Sequence, residues 1–263
     1  MKIMKFCAAA LLLAPAAAFA ASTFNGSWTF SPQHIQLNKK PVVLELNNGE
    51  FSCKTCMYAK AVKADGTEQK IKGDPNLDSA TITVVDANTV TGTYKLDGKT
   101  VDAVKIVVSA DGKSMVRDDT LQYGADPTFY VERYTRVGTA PAGAHAVSGS
   151  WRESKIVSAS GPGIVVTYGM TDDGFTMSSN GQSYSAKFDD KTYPVKGDPT
   201  KTMVNLKKVS DTEVIESDSQ KGMVVEVIDM TVSADGKTIH VVDTQTHGNR
   251  VSRYDLAKSN KAP

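Results

Sequence analysis

Through the second half of the chain, apolar and polar residues change places at almost every step, in short runs broken by turn residues. IVVTYGM, GFTMSS, SYSAKF, MVNLKKV, TEVIES, MVVEVIDMTVS, KTIHVVDT and RVSRYDL are such runs. A period of two places one face of each run on a core and the other in water. Their separators, DDG, NG, DDK, GDP, SD, KG, ADG and HGN, supply the Gly, Asn and Asp that tight hairpins need where φ turns positive. No stretch after the first twenty-odd residues carries a sustained helical period. The pattern predicts an all-β half made of antiparallel hairpins, with about eight to ten strands.

The first half repeats the plan. SADGK begins at Ser109 and again at Ser233, 124 residues on, and Lys72-Gly73-Asp74-Pro75 and Lys196-Gly197-Asp198-Pro199 keep the same offset. So do Phe51 and Phe175, Val90 and Val214, and Gly98 and Gly222. Gly26-Ser27-Trp28 precedes Gly149-Ser150-Trp151 by 123 residues, and Arg133-Tyr134 precedes Arg253-Tyr254 by 120, a drift that one small deletion in the last hairpin explains. A near-constant offset over this many landmarks marks a duplicated unit. The organisation expected is one unit over 22–137, a linker at 138–148 rich in Gly, Ala and Pro, and a second unit over 149–263. Eight to ten short consecutive strands must close or leave long edges, and two tandem up-and-down β-barrels are the simplest closure. An open sandwich carries the same hairpin signals and is the alternative.

Residues 1–21 stand apart. Lys2 and Lys5 precede an apolar run from Cys7 to Ala20 that closes on Ala18-Phe19-Ala20, the layout of a secretory leader cleaved near Ala20 or Ala21. The run is short for a bilayer span and no second one follows, so the mature product is expected in the periplasm or outside the cell with no transmembrane segment. Loss of Lys2 and Lys5 moves the formal charge from +1 to −1. Acids and bases interspersed at that balance do not make a polyanion-binding surface, and nucleic acid is not an expected partner.

Each unit opens on Gly-x-Trp (Gly26 and Trp28; Gly149 and Trp151) and ends with an Arg on its final strand (Arg133; Arg253). In these features the chain resembles the lipocalin, or calycin, superfamily. That resemblance implies a Trp of the first strand packed at the closed end of the barrel beneath an Arg of the last, a cation–π contact whose guanidinium also caps free carbonyls. More closely, the whole mature chain resembles a group of bacterial secreted proteins that share a CKTC segment (here Cys53-Lys54-Thr55-Cys56), KGDP and SADGK. The group brings no activity that could be transferred.

Cys53 and Cys56 are the sharpest local feature. Two mature cysteines three positions apart in an exported chain predict a disulfide stapling a strand turn. A redox pair is the alternative, although Phe51-Ser52-Cys53 continues a strand and not a helix N-terminus; zinc is a third, lacking a further Cys or nearby His. His34, His145, His240 and His247 show no metal or triad spacing and read as solvated. Asp118-Asp119, Asp172-Asp173 and Asp189-Asp190 read as turn residues, where Asp bonds the local backbone. Lys39-Lys40-Pro41 and SASGPG at 158–163 read as loops, and Asn25-Gly26-Ser27 as a fortuitous glycosylation sequon.

No catalytic, metal or cofactor motif emerges, so neither an enzyme nor a cofactor is expected. The leading reading is a binding module whose barrels enclose a small apolar or amphipathic ligand in a mostly apolar pocket. The alternative is a structural or interaction protein of the cell envelope with side-chain-filled barrels and no small-molecule ligand.

Overall fold

The computed structural model describes residues 23–56, 61–246 and 250–259. The leader expected at 1–21 and His247 lie outside them. The first ten strands are β1 (Gly26–Gln36), β2 (Val42–Asn47), β3 (Glu50–Cys53), β4 (Val62–Lys63), β5 (Gln69–Lys70), β6 (Ser79–Val84), β7 (Thr89–Leu96), β8 (Lys99–Val108), β9 (Ser114–Leu121) and β10 (Thr128–Val137). The next four are β11 (Gly149–Ser160), β12 (Val165–Met170), β13 (Gly174–Ser179) and β14 (Gln182–Lys187), with a 3-10 turn at Pro162–Ile164 between β11 and β12. The last six are β15 (Thr192–Pro194), β16 (Met203–Ser210), β17 (Glu213–Gln220), β18 (Met223–Val232), β19 (Thr238–Gln245) and β20 (Arg250–Lys258).

Turn chemistry sets the hairpins as the alternation predicts. Asp97-Gly98 joins β7 to β8 with φ of 51° and 74°, and its copy Lys221-Gly222 joins β17 to β18 with 50° and 80°. Two positive φ values in a two-residue loop match the right-handed twist of the flanking strands. In the SADGK turns, the Ser109 hydroxyl donates to Asp111 Oδ1 at 2.6 Å and the Ser233 hydroxyl to Asp235 Oδ1 at 2.7 Å. The repeated motif is thus a turn, conserved in form between the two units.

The strands form two nearly closed ten-stranded antiparallel barrels. One, here barrel one, runs β2-β3-β4 and β11-β10-β9-β8-β7-β6-β5, joined through β2 and β11, and Asp65 bridges to Thr83 across its remaining gap. The other, barrel two, runs β14-β13-β12-β1-β20-β19-β18-β17-β16-β15, and Ser183 and Lys196 bridge its ends.

The barrels do not follow the boundaries of the duplicated units. β11, the opening strand of the second unit, lies between β10 and β2, and β1, the opening strand of the first, lies between β12 and β20. Barrel one is therefore the continuous segment 42–160, and barrel two is 165–258 completed by 26–36. This corrects the division at 22–137 and 149–263. The stretch 138–148 turns within barrel one, while 37–41 and 161–164 connect the barrels. Loop closure explains the exchange: β11 reaches β10 through eleven residues, whereas β1 is separated from β10 by most of a unit.

Each barrel is packed solid at one end. In barrel one, Trp151, Val108, Met115, Val90 and Val147 are almost wholly buried; in barrel two, Trp28, Phe24, Phe175, Val214, Met230 and Ile239 are. Each indole nitrogen donates back four residues, Trp151 to Val147 O and Trp28 to Phe24 O, both at 2.8 Å.

Candidate functional site

Away from the tryptophans the interiors change character, and strand register shows how. Across β17, β18, β19 and β20, Asp218, Glu226, Gln245 and Arg250 pair level with one another. The next inward rank is Glu216, Ile228, Asp243 and Ser252, and the one below is Val214, Met230, Val241 and Tyr254. Barrel two thus passes from apolar to acidic in three layers, because side chains two apart on a strand share a face. Barrel one does the same with Asp102 on β8, Arg117 and Asp119 on β9, Glu132 on β10 and Glu153 on β11. Asp102 and Glu226, and Asp119 and Asp243, are 124 residues apart. The acidic lining belongs to the duplicated plan.

These acids are packed and partnered unevenly. Arg117 Nη2 donates to Asp119 Oδ1 at 2.7 Å, the Tyr134 hydroxyl to Glu132 Oε2 at 2.6 Å and the Tyr184 hydroxyl to Glu216 Oε2 at 2.6 Å. Arg250 of barrel two reaches across to Glu153 of barrel one at 3.9 Å. Burial pushes Asp119 up to about 7 in spite of Arg117, and burial with Glu132 nearby pushes Glu153 up to about 7. Burial likewise raises Glu216 to about 7, and burial together with the Glu216 charge raises Asp218 to about 8. Glu226 is held well above the carboxylate range by burial and by Asp243 beside it. Near neutral pH the chambers therefore keep much of their carboxyl content protonated.

The layers surround open space. Barrel one encloses about 320 Å³, lined by Val42, Leu44, Phe51, Tyr94, Arg117 and Glu132 among others. A space of about 540 Å³ runs from the interior of barrel two to its junction with barrel one, lined within barrel two by Phe30, Tyr168, Ile228 and Tyr254 on its apolar side and Glu216, Asp218 and Asp243 on its acidic side. Leu121, Glu132, Glu153, Gln245 and Arg250 line both spaces, so the two open ends face each other. The Phe30 and Tyr130 rings meet edge-on across this junction, centroids 6.4 Å apart. The walls are largely apolar, as expected, with a band of buried acids added toward the open ends.

No family model matches the sequence, and no curated protein matches it.

The cations expected at the closed ends are not the ones found there. Arg136 lies over the Trp151 ring with its guanidinium carbon 4.0 Å from the centroid, and Lys258 Nζ lies 5.1 Å from that of Trp28. Arg136 also donates to the carbonyls of Gly112, Ser148 and Ala146 at 2.6, 2.7 and 2.6 Å. Arg133 and Arg253 are exposed on the outer surface. Strand parity is the reason: Tyr134 and Tyr254 point inward, so the residue before each points out. Arg136 is level with Trp151, and Lys258 with Trp28, in the strand register.

Cys53 and Cys56 are joined by a disulfide, at the end of β3 and the turn after it. Both line the barrel-one chamber. Among the described residues no three His, Cys, Asp or Glu side chains converge as a metal set. The structure does bring two histidines together: His34 Nδ1 and His240 Nδ1 flank Asp255 at 3.6 and 2.7 Å on the exposed face. His145 bonds the Asp86 carbonyl at 2.7 Å. Asp118-Asp119 lies within β9 and not at a turn, which overturns its reading as a turn pair and is how Asp119 comes to be inside the barrel. Asp172-Asp173 and Asp189-Asp190 do occupy turns, Lys39-Lys40-Pro41 lies between β1 and β2, and 158–163 carries the chain from β11 into the 3-10 turn.

Proposed function

We propose that the protein is an exported lipocalin-like binding module that takes a small apolar or amphipathic ligand into the barrel interiors. The observation that supports this reading is the unfilled volume: about 320 Å³ at the open end of barrel one and about 540 Å³ running from barrel two to the junction, within the span typical of small-molecule sites. A barrel whose only task is to present its outer surface has no use for such space, since voids of this size forfeit packing contacts. Apolar walls beside polar groups suit a ligand with a hydrocarbon body and a polar head. Export follows from the leader pattern at 1–21, and a disulfide at Cys53–Cys56 is compatible with an oxidising compartment.

The test is a titration of residues 22–263 with the uncharged dye N-phenyl-1-naphthylamine, followed by fluorescence. Saturable enhancement is expected, and replacement of Ile228 by Trp, which fills the larger chamber, should weaken it at least tenfold while the far-UV spectrum is kept. Enhancement that does not saturate, or that Ile228→Trp leaves unchanged, overturns the reading for barrel two.

A further inference from the structure

Beyond the chamber of barrel two lies a cleft of about 360 Å³, lined by Asp218, Gln220, Glu226, Gln245 and the apolar Met223, Val224 and Val225 of the β17–β18 hairpin. Asp74 and Pro75 of the first KGDP loop form its far wall. Asp218 and Gln245 line both the cleft and the chamber, so the cleft is the chamber's mouth.

Two of its buried polar side chains, Asp218 and Gln220, present an oxygen with no partner. Gln220 is only 6% exposed. Its Nε2 donates to the Thr200 and Thr202 hydroxyl oxygens at 2.9 and 3.2 Å, and Thr200 in turn donates to Asp198 Oδ2 at 2.7 Å. With the Thr200 hydrogen committed to Asp198, its oxygen must accept from Gln220, which fixes the amide orientation. Gln220 Oε1 is left without a partner, as are Asp218 Oδ1 and Asp243 Oδ1. A buried acceptor left bare costs about 1–3 kcal/mol. Asp218 faces Glu226 directly across the β17–β18 ladder, and Gln220 follows Asp218 by two residues on the same face. The unpartnered oxygens of Asp218 and Gln220, with the Glu226 carboxyl one cross-strand step from Asp218, border a space suited to a single ammonium group, which carries three donors.

Resting on the binding-module reading, we infer that the mouth of barrel two selects ligands with a protonated primary amine, held by Asp218, Glu226 and Gln220, with the hydrocarbon body running inward past Ile228, Tyr168 and Tyr254. An anionic head finds no uncommitted cation there, because Arg250, the one arginine lining the chamber, is already turned to Glu153. The raised carboxyls agree with this: an entering cation supplies the missing counter-charge and displaces protons from the acids. Asp74, Asp198, Glu216, Asp243, Glu153 and Arg250 are the other charged groups around the mouth.

The experiment compares three ten-carbon probes below their aggregation limits, decylamine, decanol and decanoate, by calorimetry on residues 22–263 at pH 7.5. Decylamine should bind at least tenfold tighter than decanol, with decanoate weakest. The double variant Asp218→Asn/Glu226→Gln, nearly isosteric and relieved of buried acid, should bring decylamine to the level of decanol and leave decanol unchanged. Gln220→Leu should weaken decylamine alone, a second variant should the double one fail to fold. Decanol or decanoate binding as tightly as decylamine, or decylamine unaffected in the folded variants, overturns the amine assignment and leaves the binding module standing. Failure of all three probes overturns both.

Discussion

The closing contact of barrel one depends on Arg136. It covers an indole and satisfies three main-chain carbonyls at once, so Arg136→Ala should lower unfolding free energy by about 2–4 kcal/mol. Arg133→Ala, on the exposed face, should change it by less than about 0.5 kcal/mol. Lys258→Ala, whose ammonium lies farther from its indole, should fall between. Urea denaturation of the three variants decides; equal losses for Arg133 and Arg136 refute the assignment. The Arg-Tyr pair on each final strand was legible in the sequence, but it led to the wrong residue. Period two, applied from Tyr134, points to Arg136. The inward acids were legible by the same rule, since VDAV and VRDDTL place Asp102 and Asp119 on one face of adjacent strands. Asp-Asp as a turn signal outweighed that parity and concealed them.

At the scale of elements, alternation found the hairpins but not β11. Its run WRESKIVSAS breaks period because register shifts at two places against β10, between Val131 and Glu132 and between Arg133 and Tyr134. Each bulge adds a residue to one strand and turns the next side chains over, so Glu153 faces the chamber at an odd position and Ile156 is buried at an even one. Which barrel each opening strand completes was not legible either, since both begin Gly-Ser-Trp and either fits. The exchange predicts that a fragment of residues 38–162 folds cooperatively by far-UV circular dichroism in urea, whereas 22–137, which lacks β11, does not. Cooperative folding of 22–137 with comparable stability contradicts the observed closure.

For the molecule as a whole, the acid-lined ends tie stability to pH. Asp119, Glu153 and Glu216 at about 7 and Asp218 at about 8 bind protons more readily folded than unfolded. Unfolding therefore releases protons above the ordinary carboxylate range, and stability present at low pH is lost as pH rises toward 8. The turn aspartates run the other way: the Ser109 hydroxyl holds Asp111 below its usual value, and the Ser233 hydroxyl does so for Asp235, so their contribution is lost in stronger acid. Melting temperature should peak near the ordinary carboxylate value, at about pH 4, and decline from there toward 8.5. Asp218→Asn should flatten that decline, raising Tm at pH 8 by about 2–4 °C for each kcal/mol relieved; a flat or rising profile in the parent protein refutes the link.

The exchanged strands also bear on the order in which the chain is made. Barrel one is complete once residue 160 has emerged, but β1, synthesised before any of it, has neither neighbour until β12 and then β20 follow. The earliest strand is thus the last to be enclosed on both sides. Through most of translation its pairing edges are bare, and whatever attends the nascent chain must protect that one segment longest.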